Sequence, residues 1–202
     1  MGLRFIMAEL EEQRLKAEMG VQATLMEKRI VFLSHSIDNV VAEKITTLLL
    51  YFDSMGHEPI KLLINSPGGS ISAGFAIIDC IRGIESPVHT YAFGMAASMA
   101  ALILSSGEKG KRSASPNAEV LIHQPLASNL FGQASDIEIA ARSIIRTKEK
   151  ICTELACNTG KTAEEIEAAI DRDNCLNAQE AVEFGIIDSI EASWTGAYQG
   201  RT

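Results

Sequence analysis

Short apolar runs alternate with segments of helical periodicity over the first 125 positions, and this alternation limits the fold more than any other feature. The runs read as buried strands at about residues 30–33, 60–64, 88–93 and 119–123. Between the first two, Val41, Ile45 and Leu48 recur at the spacing of one helix face. Asp38 precedes that face as a candidate N-cap. Strands that alternate with helices predict an α/β domain with a parallel sheet.

The second half of the chain is richer in helix signals. A stripe of apolar residues on a helix predicted from about residue 135 to 158 consists of Ile137, Ala141, Ile144, Ile151 and Leu155. It indicates either core packing or an interface with another subunit. Thr162 with Glu165 has the spacing of a capping box, and so does Asn177 with Glu180. We therefore predict that two shorter helices begin there, with Gly185 ending the second before a last strand at about 186–190.

Composition argues against several classes of function. The 202 residues carry a net charge of −8 without a basic cluster, which disfavours nucleic-acid binding. No apolar run reaches the roughly 20 residues that a membrane helix needs, and no secretory signal is recognisable, so we expect a soluble cytoplasmic protein. The four cysteines lack metal-ligand spacing and are predicted to be buried free thiols. They are Cys80, Cys152, Cys157 and Cys175. No metal site is predicted.

The stretch GMAASMA, residues 94–100, places Ser98 where a predicted strand turns into a predicted helix. A serine there would lie at a strand end, beside the free backbone N–H groups of a first helical turn. The pattern is not the G-x-S-x-G of α/β-hydrolases, and small residues before an apolar helix often serve only close packing. Taken alone, the stretch favours packing over catalysis.

Three further segments follow strands and carry chemistry. The Pro67-Gly68-Gly69 turn could bring backbone N–H groups close to a ligand, or could be an ordinary strand-to-helix turn. His123 is the one histidine at the end of an apolar strand. It could act as a base, or it could be a hydrogen-bonded group of the core. The segment from Asp171 to Asp173 is either a solvated charge run or the source of a carboxylate that orients an imidazole.

Together these segments closely resemble the proteolytic subunit family of Clp protease, ClpP. The matching stretches lie in family order and begin at Ile64 (INSPGGSISAGFAI), Gly94 (GMAASMAALILSSGEKGKRSASPNAEVLIHQPL), Gly132 (GQASDIEIAA) and Asp171 (DRDNCLNAQEAVEFGIID). The resemblance covers roughly residues 28 to 190. It implies a crotonase-like α/β fold of strand-strand-helix units, with a helix-strand handle at about 124–158. On this division, residues 1–27 form a divergent N-terminal segment, 28–191 a single domain and 192–202 a mobile tail.

The resemblance also implies a serine endopeptidase site. Ser98 would be the nucleophile, His123 the general base and Asp173 the carboxylate that orients it. The N–H groups of Gly68 and Met99 would form the oxyanion hole. Positions that match contacts between rings of the family are Gln133, Glu138, Asp171 and Arg172. No cofactor is implied in this chain, because ATP is used by a partner ATPase.

The implied partners are ClpP-like subunits in two stacked seven-membered rings, a ring-shaped Clp ATPase and unfolded protein substrates. The implied location is the bacterial cytoplasm, or the plastid stroma of a plant or alga. Lys61 and Leu63 stand where many members carry tyrosines that dock the ATPase, and residues 127–129 depart from the family's glycines. These departures suggest a paralogue in a mixed assembly, with the ATPase docking on other subunits. Alternatives are a weakly active or structural subunit and a crotonase-type acyl-CoA enzyme.

Overall fold

A computed structural model describes residues 20–21, 23–126 and 132–192. Most of the predicted N-terminal segment, the departure at 127–129, the strand of the predicted handle and the tail from residue 193 lie outside these described residues. No helix within the described ranges is long and apolar enough to cross a membrane.

The described chain alternates strands with helices. The strands are β1 (Ile30–Leu33), β2 (Ile60–Ser66), β3 (Val88–Ala97), β4 (Arg112–Ala114), β5 (Glu119–Ile122), β6 (Asn174–Asn177) and β7 (Ser189–Ile190). The helices are α1 (Asn39–Met55), α2 (Ile71–Gly83), α3 (Met99–Ser105), α4 (Ala134–Thr159), α5 (Ala163–Ala169) and α6 (Ala178–Phe184). Two strands follow each other without a helix only at β4 and β5 among the described elements, so repeated strand-strand-helix units are not seen there.

One sheet joins all the described strands, and its pairings are mostly parallel. Its main path runs β1-β2-β3-β4-β7, and every pairing along that path is parallel. Farther along β3, β5 pairs with it in parallel and then pairs with β6 in antiparallel fashion. The predicted α/β class with a parallel sheet is therefore confirmed. The carboxyl ends of β2, β3 and β5 meet at one edge, which is where ligand sites form in open parallel sheets.

The predicted helix boundaries rest on caps that the structure contains. Asp38 accepts a hydrogen bond from Val41 N–H at 2.8 Å at the start of α1. Both predicted capping boxes are present, at Thr162 and at Asn177. The last strand is shorter than predicted, and β4 and β6 were not predicted, because each has at most four residues and no apolar alternation of its own.

Helix α4 packs on the core only near its C-terminal end. Of the predicted stripe, Ile151 and Leu155 are buried, whereas Ile137 is 40% exposed. Two more isoleucines in the first half, Ile139 and Ile145, are 65% and 55% exposed. The core interpretation thus holds for the last two of the five stripe residues, and the interface interpretation stays a prediction for the rest.

The prediction that all four cysteines are buried was wrong for two of them. Cys152 is buried and Cys80 is half-buried, but Cys157 and Cys175 are exposed. Cys175 lies on β6, where its neighbour Leu176 takes the buried side of the strand, so alternation turns the thiol outward. All four are free thiols.

An ion pair between the buried Arg112 and the half-buried Asp188 connects β4 and the residue before β7 to two helices. The Arg112 side chain is 5% exposed and makes a two-pronged contact with Asp188, through Nε at 2.9 Å and Nη2 at 2.5 Å. The guanidinium also donates to the carbonyl oxygens of Ser105 at the end of α3 and Asn158 at the end of α4. One side chain therefore holds β4, β7, α3 and α4 together.

Candidate active site

Ser98 occupies a strained turn between β3 and α3. Its backbone angles are φ 57° and ψ −123°, a conformation that side-chain-bearing residues rarely adopt. Its N–H donates to the carbonyl of Leu121 on β5 at 2.7 Å, which holds the turn against the neighbouring strand. The residues around it are small and buried, with Ala96, Ala97 and Ala100 at most 6% exposed. Strain of this kind persists where the surroundings enforce it, and it is frequent at functional sites.

The Pro-Gly-Gly turn after β2 packs directly on the Ser98 turn. Gly68 has φ +86°, and a Cβ built on it would lie 2.5 Å from the carbonyl oxygen of Ala97. The same atom would lie 2.8 Å from Cβ of Ser98 and 3.1 Å from the nitrogen of Met99. The predicted oxyanion pair, Gly68 and Met99, is thus adjacent to Ser98. Met99 begins α3, where N–H groups have no acceptor within the helix.

Replacing Gly68 by alanine is expected to lower the predicted peptide hydrolysis by at least about tenfold, because the new methyl group would meet fixed backbone and move the Ser98 turn. The measurement is kcat with a fluorogenic peptide. Gly83→Ala is the matched control, since a Cβ there meets nothing within 4 Å. A Gly68→Ala protein with unchanged kcat would contradict this expectation.

His123 directly follows β5 and contacts Asp173. Its Nδ1 lies 3.2 Å from Oδ1 of the Asp173 carboxylate. The antiparallel pairing of β5 with β6 sets Ile122 opposite Asn174, so the residues one step beyond face each other. The imidazole is 16% exposed, whereas the carboxylate is 74% exposed. The two predicted partners, 50 positions apart in sequence, are therefore brought together.

Ser98 and His123 open into one cavity of about 250 Å³. Its wall is largely apolar, formed by residues that include Ile71, Leu102, Ile122, Ile151 and Leu155. No hydrogen bond joins Ser98 Oγ to the imidazole. Catalytic contacts are often long in free enzymes and shorten when substrate binds.

The residues expected at contacts between rings lie on the surface, away from the core. Gln133 is the N-cap residue of α4, and Glu138 pairs with Arg142 one turn further on. The Asp171 and Arg172 side chains are 63% and 89% exposed and lie 3.8 Å apart. Their involvement in ring contacts stays a prediction.

Lys61 and Leu63 line a small cleft of about 200 Å³ elsewhere on the sheet. Leu63 is buried with Ile30 and Tyr91, while Lys61 is half-buried. The rim also carries His89, Lys111 and Glu191. Burial lowers the pKa of His89, and the charges of Lys111 and Lys61 lower it further. The cleft is thus lined by both apolar and charged side chains.

Sequence reasoning missed the segment that supports the glycine turn, the turn formed by Pro67, Gly68 and Gly69. Residues 35–37, just after β1, form a set of hydrogen bonds with residues 66–70, and Ile37 forms an isolated bridge with Gly69. The Ser66 side chain is also part of this set, and it is 1% exposed. A serine directly before Pro-Gly-Gly was the available signal, because short hydroxyl side chains bond to nearby backbone in turns.

A comparison with protein-family models bears on the whole arrangement. The model described as Clp protease matches residues 13–193, which is most of the chain. The match includes the Ser98 turn, the glycine turn, His123 and Asp173. This chain belongs to the Clp protease family.

Proposed function

We propose that this Clp protease family member is a serine endopeptidase in which Ser98, His123 and Asp173 form a catalytic triad. The observation that carries the proposal is the meeting of Ser98 and His123 in one cavity, with the imidazole hydrogen-bonded to Asp173. The crotonase-type alternative needs no such set of three groups. The strained Ser98 turn adds support, since packing alone does not require a serine in that conformation.

The proposed reaction is acyl transfer. In the proposed tautomer, the Nδ1–H group of His123 donates a hydrogen bond to the Asp173 carboxylate, which leaves Nε2 as the base for the Ser98 hydroxyl. Ser98 Oγ attacks the peptide carbonyl, and the oxyanion accepts hydrogen bonds from the N–H groups of Gly68 and Met99. The imidazolium then gives its proton to the leaving amine, and an acyl-enzyme remains. Water, deprotonated by His123, attacks the ester and releases Ser98.

We further propose that the site works inside an assembly of ClpP-like subunits with a Clp ATPase, as the family implies. One support is the exposed isoleucines on α4. Another is the 74% exposure of the Asp173 side chain, because in an isolated subunit water weakens the hydrogen bond between Asp173 and His123. Gln133, Glu138, Asp171 and Arg172 are the proposed ring contacts. Unfolded proteins fed in by the ATPase are the proposed substrates.

The charged rim at Lys61 favours a mixed assembly in which the ATPase docks on other subunits. Burying an ammonium against an apolar docking segment costs free energy that an aromatic side chain does not. Full-stoichiometry binding of the ATPase to active double rings made only of this chain would contradict the mixed assembly.

Labelling with a fluorophosphonate tests the proposed function. The wild-type protein should form a covalent adduct that peptide mapping assigns to Ser98, because the base and oxyanion donors activate that hydroxyl. His123→Ala should remove the labelling while leaving the serine in place. Ser72→Ala is the control, since that exposed hydroxyl hydrogen-bonds to Ser70 Oγ and does not line the cavity of Ser98. A wild-type protein that does not label in any assembly state would refute the proposal.

The apolar wall of the cavity predicts substrate preference. We expect cleavage after leucine or methionine to exceed cleavage after aspartate by at least about tenfold in kcat/KM, because a carboxylate would lose its hydration against Ile71 and Leu102. Matched fluorogenic peptides that differ at that one position measure the ratio. Equal rates for leucine and aspartate would place the substrate side chain outside this cavity.

A further inference from the structure

The glycine turn beside Ser98 is held by the segment after β1. The carbonyl of Gly68 accepts hydrogen bonds from Ile37 N–H at 2.8 Å and from Ser36 Oγ at 3.2 Å. The carbonyl of Ile37 in turn accepts from Ser70 N–H at 2.7 Å. Two backbone bonds and one side-chain bond thus fix the Gly68 carbonyl and the residues after it.

The Ser66 side chain also connects the two segments, through hydrogen bonds to His35 and to the Gly68 N–H. Its hydroxyl donates to the carbonyl of His35 at 2.6 Å, so its single proton is already used. Toward Gly68, Ser66 Oγ can therefore only accept, and it receives the Gly68 N–H at 3.2 Å. The Ser66 residue is 1% exposed, which leaves no room for water to replace its oxygen. The direction of the Gly68 N–H is thus set by one buried hydroxyl.

The turn is packed closely on both sides. A Cβ on Gly69 would lie 2.3 Å from the carbonyl oxygen of Ile37. On the opposite side, a Cβ on Gly68 would lie 2.5 Å from that of Ala97. The turn is clamped between the 35–37 segment and the Ser98 turn, so a change in the hydrogen bonds of one reaches the other.

We infer that Ser66 is a positioning residue: its hydroxyl oxygen accepts the Gly68 N–H until the oxyanion forms and takes over as acceptor. Ser36 assists by donating a hydrogen bond to the Gly68 carbonyl. This inference rests on the proposed function. A neutral hydroxyl at 3.2 Å satisfies the buried N–H weakly, whereas an oxyanion makes a charge-assisted bond roughly twice as strong. The N–H therefore exchanges acceptors at small cost as negative charge develops, and it returns to Ser66 when the charge is lost.

The test combines kinetics with hydrogen exchange. Ser66→Ala should lower kcat by about tenfold with KM unchanged, a smaller loss than the 10²-fold or more that follows complete removal of an oxyanion donor. The affinity of a peptide boronate, which mimics the tetrahedral intermediate, should fall by the same factor. Amide-resolved exchange should show the Gly68 N–H exchanging at least about tenfold faster than in the wild type, because its acceptor is gone.

Ser36 supplies the second variant, since its side chain is exposed and tolerates change. Ser36→Ala should lower kcat by a few-fold, and Ser36→Thr, which keeps the hydroxyl, should restore it. Ser72→Ala, four positions beyond Gly68, should leave kcat, KM and exchange unchanged. A loss of kcat that Ser36→Thr does not restore would overturn the part assigned to Ser36.

The exchange measurement separates this inference from the proposed function. Gly68 exchange that is equal in the wild type and Ser66→Ala overturns the inference whether or not the protein hydrolyses peptides. Unchanged kcat in Ser66→Ala overturns it as well. Failure of wild-type Ser98 to label with a fluorophosphonate instead overturns the proposed function.

Discussion

Replacing Ser98 by alanine is expected to reduce kcat for peptide hydrolysis by about 10⁶-fold, the size of loss that removal of the nucleophile causes in a serine peptidase. KM should stay close to the wild-type value, because apolar side chains of the cavity supply most of the substrate contact. Rates with a fluorogenic peptide, taken at matched protein concentration and assembly state, measure both constants.

The folded state should survive this substitution. Ser98 makes no side-chain capping bond to α3, and its backbone bond to Leu121 does not involve the hydroxyl. Alanine meets the same backbone strain as serine at φ 57°. The thermal unfolding midpoint should therefore stay within a few degrees. A Ser98→Ala protein that retains more than about 1% of the wild-type kcat, after irreversible inhibitors have excluded contaminants, would show that another group is the nucleophile.

Replacing Arg112 by methionine is expected to lower the free energy of unfolding by about 3–5 kcal/mol, because it leaves the carboxylate of Asp188 without its partner. The variant also removes the donors to the carbonyls of Ser105 and Asn158. For a chain of this length, such a loss corresponds to a fall in midpoint of roughly 6–20 °C. Denaturant unfolding followed by circular dichroism measures it.

Two comparisons sharpen the Arg112 experiment. The double variant Arg112→Met with Asp188→Leu should recover only part of the lost stability: no charge is left unpaired, but the N–H groups of Gly110 and Arg112 lose their acceptor. Arg142→Met should cost about 0.5 kcal/mol or less, because that pair with Glu138 is exposed at 71% and 63%. Destabilisation by Arg142→Met equal to that of Arg112→Met would contradict the importance of burial.

Low pH should remove the stabilisation that the pair of Arg112 and Asp188 provides. Burial raises the pKa of the Asp188 carboxyl, but hydrogen bonds and charge from Arg112 outweigh this and hold the pKa below its ordinary value. The stabilisation is therefore present above the unfolded pKa of about 4 and is lost as pH falls through the lower folded pKa. Below about pH 4, wild-type stability should fall more steeply with pH than that of the double variant.

Elements with local signals could be predicted from the sequence. Helix α1 follows from its apolar spacing and from Asp38, and the starts of α5 and α6 follow from two capping boxes. Strands β4 and β6 could not be predicted, because they exist through pairing with distant partners rather than through their own composition. The same cause explains the exposed Cys175, whose outward direction depends on β6 being a strand.

The same distinction between local sequence signals and pairing of distant segments applies to the candidate site. Ser98 and the glycine turn could be located because each follows an apolar run that reads as a strand. The contact between His123 and Asp173 could not be derived from spacing, because it depends on the register of β5 against β6. The support by Ser36 and Ser66 was also beyond sequence reasoning, since it joins segments about 30 positions apart through side-chain hydroxyls.

Among the strands that the structure describes, β6 pairs with β5 alone. This pairing determines when the candidate site is completed during synthesis of the chain. Ser98 and His123 leave the ribosome well before Asp173, so a chain that ends between His123 and Asp173 carries the proposed nucleophile and base but not the proposed orienting carboxylate. Domains form from the N-terminus during translation, so β3 and β5 can associate first. Under the proposed triad, a partly made chain lacks the carboxylate that orients His123, and we expect full cleavage activity only after β6 has docked.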